Sequence, residues 1–228
     1  MHVPVLLREA IEFLNVEPEG FYIDATLGSA GHAEEVLKRL RGGKLLGIDC
    51  DPAALELARG RLQGFGERLM TLHGNFAEID ALHATSGLPP ADGLLADLGV
   101  SLMQLSEPAR GFSFDRPGPL DMRMDPTSGT PAADLVNRLP ERDLADLIFK
   151  FGEERHSRRI ARAIVKGRPY RITTELAQVV TRAIPSRAAL YQLHPATRTF
   201  QALRIAVNRE LESLELFLAK SLAVLKPG

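Results

Sequence analysis

The chain has little of what would announce a membrane, an oxidising compartment or a metal. It holds one cysteine, Cys50, among 228 residues, so no internal disulfide can form, which suits a reducing compartment. No apolar run approaches the roughly 18 residues of a membrane span. The N-terminus has no basic segment followed by an apolar core, so no secretory leader is expected, and a soluble cytoplasmic protein is the default. Lys and Arg number 28 against 29 Asp and Glu, a net charge of −1. A nucleic-acid partner would therefore have to be met by a local patch. There is no H-x-x-H, H-E-x-x-H or paired C-x-x-C, and His156 and His194 stand isolated, so no metal site is expected.

What is present is an ordinary globular composition, long enough for one sizeable core or for a domain carrying a smaller insertion. Met1 to Pro4 reads as extended, and Val5 to Leu14 as a short amphipathic helix. The stretch Phe21 to His32 organises the rest of the chain. A β-favouring run reaches Asp24, breaks into a small-residue loop with Gly28 and Gly31, and passes into a helix ending near Leu40. Lys44 to Asp49, Arg68 to His73 and Asp92 to Asp97 read as further strands, with helices between them. The helix after Asp49 is capped by Asp51 with Pro52 in its first turn. The first hundred residues thus read as βαβαβαβ, a parallel, doubly wound α/β sheet. Three strands end in an acid, Asp24, Asp49 and Asp97, which brings three carboxylates to one edge, where such sheets bind ligands.

From Ser106 to Pro131 the period is lost in a long loop rich in Pro, Gly, Asp and Arg. Phe112, Phe114, Leu120, Met122 and Met124 make it an ordered lid or crossing rather than a disordered linker. Four helices follow, the first capped by Thr130 with Pro131 and the fourth by Thr173 or Thr174, ahead of an irregular segment from Pro185 to His194. One long leucine-striped helix, Thr199 to Leu225, then packs back on the sheet. The expected organisation is a first α/β part at residues 1–105, a lid loop and small all-helical insertion at 106–198, and a return helix of the first domain at 199–228.

The residues themselves leave the cofactor open. Glycines at 28 and 31 allow a tight turn and close backbone approach, and Asp49 stands where a carboxylate binds ribose hydroxyls. Ala30 spoils a G-x-G-x-x-G fingerprint, which turns the reading from dinucleotides toward S-adenosylmethionine. A nicotinamide oxidoreductase stays as the rival. Phe76 could cover an adenine face or fill the core, and His32 could bond the cofactor tail or cap a helix. Arg155, Arg159, Arg162 and Lys166 form a basic stripe that could hold RNA phosphates, or a solvated face paired with nearby acids.

The blocks Asp24 to Gly28, Gly47 to Asp51, Asp97 to Ser101, Arg110 to Phe114, Pro119 to Met124, Gly152 to Arg155 and Thr199 to Asn208 occur in that order along the chain. Together they closely resemble the bacterial small-subunit ribosomal RNA (cytosine-N4)-methyltransferase family, the MraW type. The resemblance implies a Rossmann-like S-adenosylmethionine-dependent methyltransferase sheet with an inserted helical domain. It implies methylation of the exocyclic N4 of a cytidine in the decoding region of small-subunit rRNA. It also implies cofactor contacts from Asp24, Gly28, Ala30, Gly31, His32, Asp49, Phe76, Asp97 and Gln104, with Asp97 as the catalytic candidate.

The chain departs from the family pattern at Ala30, where a glycine is usual, so the backbone there is either ordinary or slightly shifted. It departs at Leu102 and Met103, where a serine and a proline are usual. The family also continues past Pro227 and Gly228 into further strands. The expectations are a sheet truncated after strand four, an exposed edge that invites a homodimer, and cofactor binding more robust than turnover. A module that binds S-adenosylmethionine or RNA without turnover is the alternative.

Overall fold

The computed structural model describes residues 4–184 and 194–227. The extended reading of 1–4 and the irregular reading of 185–194 fall outside these, Pro4 and His194 excepted. In chain order the elements are α1 (Leu7–Leu14), β1 (Phe21–Asp24), α2 (Gly31–Arg39), β2 (Lys44–Asp49), α3 (Pro52–Leu62), β3 (Leu69–His73), α4 (Ile79–Ser86) and β4 (Gly93–Leu95). Then come α5 (Leu102–Ser106), α6 (Ala132–Arg138), α7 (Glu141–Gly152), α8 (Ser157–Lys166), α9 (Thr173–Ala183), α10 (Thr197–Asn208) and α11 (Glu210–Ser221). Among the described residues no helix is long and apolar enough to cross a membrane. The chain divides into two compact units, residues 1–101 with 211–228, and residues 102–210.

In the first unit the four strands are all parallel, in the order β3-β2-β1-β4. The order reverses at β1, so the loops after β1 and β4 diverge from one point at the carboxyl edge, where open α/β sheets take their ligands. Side-chain alternation along the strands feeds two apolar layers. Tyr22 and Leu45 face α1, α2 and α3 through Ile11, Val36, Leu37, Leu55 and Leu62. Phe21, Ile23, Leu46 and Ile48 face the other way, onto Ile79 of α4 and Phe217 of α11. Burial on both faces explains why the strands read as near-continuous apolar runs.

Strand four is shorter than the sequence suggests. It pairs only with β1, and Leu95 lies opposite Asp24, the last residue of that strand. With no partner beyond, the ladder stops, and Asp97 lies two residues past it. The sheet also does not end cleanly at β4. Leu225 makes a parallel bridge beside Ala91, Ala91 N–H donates to Val224 O, and Lys226 N–H donates to Ala91 O. Lys226 Nζ adds a 2.6 Å bond to Asp92 Oδ1.

The second unit is helical around a core that includes Leu144, Ile148, Ile160, Ile164 and Leu203, all fully buried. Its long loop is ordered. Leu120 and Met122 are buried, Leu120 N–H donates to Arg171 O, and Met122 N–H donates to Arg110 O. The expected threonine caps are absent: the N-cap residue of α6 is Pro131 and that of α9 is Ile172, neither with a side-chain cap. Thr173 instead ties the loop down, accepting from Gly118 N–H at 3.2 Å and donating to Arg116 O at 3.2 Å.

The single return helix is also corrected. The chain breaks at Arg209, which takes a left-handed φ of 49° between α10 and α11. The leucine stripe divides with it. Leu203 is buried in the second unit, whereas Leu211, Leu218 and Leu222 are exposed and Phe217 fills the sheet core.

Candidate active site at the carboxyl edge of the sheet

The loop after β1 is built from backbone that most residues avoid. Gly28 has φ +50° and Ala30 φ +63°, and α2 begins at once with Gly31. Ala30 is fully buried and keeps the left-handed turn in spite of its methyl, so the backbone at this position is not ordinary. A Cβ on Gly31 would clash with the Pro4 ring, whereas one on Gly28 would meet only Thr26 O, at an ordinary contact distance of 3.8 Å. Gly31 is therefore demanded by packing and Gly28 by its φ.

Hydrogen bonds lock three loops together. Gly28 N–H donates to Asp49 Oδ2 at 2.7 Å, and Asp51 N–H donates to Asp49 Oδ1 at 2.8 Å. Asp51 is buried and caps α3, its carboxylate accepting from Ala53 N–H at 3.1 Å. Asp97 N–H donates to Thr26 Oγ1 at 2.6 Å. Thr26 was not singled out from the sequence; its signal was a hydroxyl two residues beyond the strand's terminal acid. His32 is buried and donates from Nε2 to Val5 O at 3.1 Å, which leaves Nδ1 facing Asp97 Oδ2 at 3.9 Å.

Asp24, Asp49, Asp97, Gly28, Ala30, Gly31 and His32 thus gather at one end of the sheet. Asp24 is almost fully buried with Thr26 N–H as its donor at 3.1 Å. Burial pushes its pKa up to about 7, the Thr26 bond opposes the rise, and the charges of Asp49 and Asp97 add to it. Asp49 is raised as well, first by burial, against the hydrogen bonds from Asp51 and Gly28. Among the described residues neither carboxylate has a lysine or arginine partner. Asp97 is half-exposed and open to an incoming molecule.

Phe76 follows β3 in a short turn capped by Asn75, and its ring meets Phe217 edge-on at 5.3 Å. Gln104 is buried in α5 of the second unit. Also in that unit, Arg155, Arg159, Arg162 and Lys166 are all exposed, Arg155 just before α8 and the others on it. Arg162 reaches Glu141 at 3.4 Å. Glu154 does not join this face; it is buried and accepts from His156 N–H at 2.7 Å.

A model of the MraW methylase family matches residues 1–228. The chain is 50% identical over 231 residues to "Ribosomal RNA small subunit methyltransferase H" of Syntrophobacter fumaroxidans, across 100% of this chain and 72% of that protein. It is 51% identical over 235 residues to the protein of the same name from Acidobacterium capsulatum, across 100% of this chain and 78% of that one. The chain belongs to the MraW methylase family. The methyl donor of this methylase is S-adenosylmethionine, and the residues at the sheet edge fit it. Buried carboxylates without a cationic partner suit a ligand that carries a sulfonium and an α-ammonium. The open side of Gly28 beside a fixed Asp49 carboxylate suits a ribose with free hydroxyls.

Proposed function

We propose that this methylase transfers a methyl group to the exocyclic N4 of a cytidine in the decoding region of small-subunit ribosomal RNA, in the cytoplasm. The observation that carries the reading is the match along the whole chain to proteins named for small-subunit rRNA methylation. The specific blocks Arg110 to Phe114, Pro119 to Met124 and Phe200 to Asn208 support the choice of N4. In this reading residues 28–32 cradle the amino-acid tail of the cofactor, Asp49 takes the ribose hydroxyls, and Phe76 lies against the adenine. Asp24 and Asp97 complete the contacts of the first unit.

S-adenosylmethionine supplies an electrophilic methyl on a sulfonium. The amine it must meet is a weak nucleophile, because the lone pair of N4 is delocalised into the ring. Asp97 accepts a hydrogen bond from that amine and polarises it. Thr26 holds the Asp97 backbone in place and His32 stands beside its carboxylate. Orientation of this kind can supply about 7–11 kcal/mol of a barrier at the extreme. The base has to be unstacked to reach the edge of the sheet. The exposed arginines of residues 155–166 then hold surrounding phosphates, and their neutralisation should lower both RNA affinity and its salt dependence.

The test is incubation with small ribosomal subunits and methyl-labelled cofactor, followed by nucleoside analysis. Label in N4-methylcytidine is the expected result, and label on any other atom, or none, overturns the reading. Asp97→Asn separates the two roles of that residue. Retained cofactor binding with lost transfer supports polarisation of the amine, and lost binding assigns Asp97 to the cofactor alone.

A further inference from the structure

The second unit carries a groove that none of the roles above uses. It has a volume of about 320 Å³ and is lined by Phe114, Ala177, Gln178, Thr181, Arg182 and His194 among others. Its wall is aromatic. Phe114 lies against the imidazole of His194 at a centroid distance of 4.6 Å with 33° between planes, and against Phe200 edge-on at 4.8 Å and 71°. Phe200 is buried, so it anchors Phe114 from beneath. Ala196 N–H donates to His194 Nδ1 at 3.1 Å, which places the proton of the neutral ring on Nε2.

The opposite wall is one face of α9, since residues 178, 181 and 182 stand at helical spacings of three and four. Thr181 donates to Ala177 O at 2.8 Å, and its oxygen is left as an acceptor. Gln178 and Arg182 are exposed, and neither makes a hydrogen bond or ion pair among the described residues. Among the described residues no carboxylate lines the groove.

We propose that this groove binds an unpaired RNA nucleotide, its base against the His194–Phe114 pair, its edge read by Gln178 and its phosphate taken by Arg182. The proposal deepens the rRNA reading and rests on it. Single-stranded RNA is recognised by aromatic or imidazole surfaces that stack a splayed base, with polar side chains at the base edge and cations at the backbone. An apolar peptide side chain would make no use of Gln178 and Arg182, and a free anion would make no use of the aromatic wall. The volume lies at the lower end of ligand-sized clefts, which suits one nucleotide.

The experiment titrates the full chain with a short unstructured RNA oligonucleotide carrying one 2-aminopurine, read by anisotropy and by fluorescence quenching. Phe114→Leu should weaken binding about tenfold or more and abolish quenching, and Phe114→Tyr should restore both. Arg182→Gln should lower the salt slope by about one. Unchanged affinity in Phe114→Leu and an unchanged slope in Arg182→Gln overturn the proposal and leave the groove to another occupant. Should Phe114→Leu fail to fold, the slope of the surface variant Arg182→Gln decides alone. Methylation of small subunits by a wild-type chain that does not bind the oligonucleotide overturns the groove and keeps the rRNA reading. Groove-dependent binding without methylation overturns the rRNA reading instead.

Discussion

The N–H of Gly28 donates to Oδ2 of Asp49 at 2.7 Å, and this bond joins the loop after β1 to the end of β2. The other oxygen of the same carboxylate is held by Asp51 N–H. Asp49 therefore organises the loop as well as facing a ribose in the proposed complex. Asp49→Asn puts an amide NH2 against one of those two N–H donors. Leaving a donor unsatisfied in this way costs about 1–3 kcal/mol. Calorimetry should show S-adenosylmethionine affinity reduced at least about tenfold, with a parallel fall in the denaturation midpoint. Full affinity in the variant would remove Asp49 from the cofactor site.

Asp24 makes stability depend on pH. Its carboxyl titrates at about 7 in the folded chain against an ordinary value of 3.8, because burial penalises the charge. Between those values the folded state holds a proton that the unfolded state has lost, so stability falls as pH rises through that window and levels off above it. The full difference is roughly 4 kcal/mol. Asp24→Asn has no such titration, so its stability relative to wild type should improve steadily from pH 4 to 7 in urea melts. A cationic ligand favours the ionised carboxyl, so cofactor affinity of the wild type should climb as pH passes 7. In Asp24→Asn that dependence should vanish. Parallel pH profiles for the two proteins would sink the argument.

Ala30 occupies a left-handed turn at φ +63° with its methyl fully buried. A non-glycine residue loses about 1–2 kcal/mol there. Burial of the methyl returns about 0.8 kcal/mol, and the stiffer unfolded chain about 0.4–1 kcal/mol. Ala30→Gly should therefore change stability by less than about 1 kcal/mol. Ala30→Val adds β-branching at positive φ in a packed site and should cost about 3 kcal/mol or more. Denaturant titration of the pair reads this directly, and a tolerant Ala30→Val would mean the turn is not left-handed.

Much of the first unit could be read from residue order, because a buried parallel strand is a short apolar run and three of these runs lead to an acid. The end of β4 could not, since it is set by where β1 stops and not by its own residues. The break at Arg209 was hidden for a related reason. The leucine repeat runs through it without a glycine or proline, and it is local tertiary bonding that marks the site, with Arg204 gripping Glu210 at 2.8 and 2.9 Å. The long loop has no period because its backbone groups are satisfied by distant side chains. The groove of Phe114, Gln178 and His194 joins residues far apart in sequence, so no local signal carried it. At Ala30 the residue type argued for ordinary backbone, and the fold overrode it.

Asn208, the last residue of α10, shows how those distant side chains order the loop. Its Oδ1 accepts from Met124 N–H at 2.7 Å, and its Nδ2 donates to Met122 O and to Arg204 O, both at 2.8 Å. Arg110 completes the clamp by donating from Nη2 to Arg123 O and Met124 O. Met122 is fully buried at φ +62°, a conformation that needs such support. Asn208→Ala removes three bonds and leaves the Met122 carbonyl and Met124 N–H short of partners, a loss of about 2–4 kcal/mol. Asn208→Asp keeps the acceptor for Met124 but sets a carboxylate against two carbonyls, so its penalty should shrink at acid pH, where a protonated carboxyl donates again. Hydrogen exchange at the Met124 amide is the local readout. Its protection should collapse in Asn208→Ala and return in part for Asn208→Asp as pH falls. Undiminished protection in Asn208→Ala would show that the loop is held by something other than this clamp.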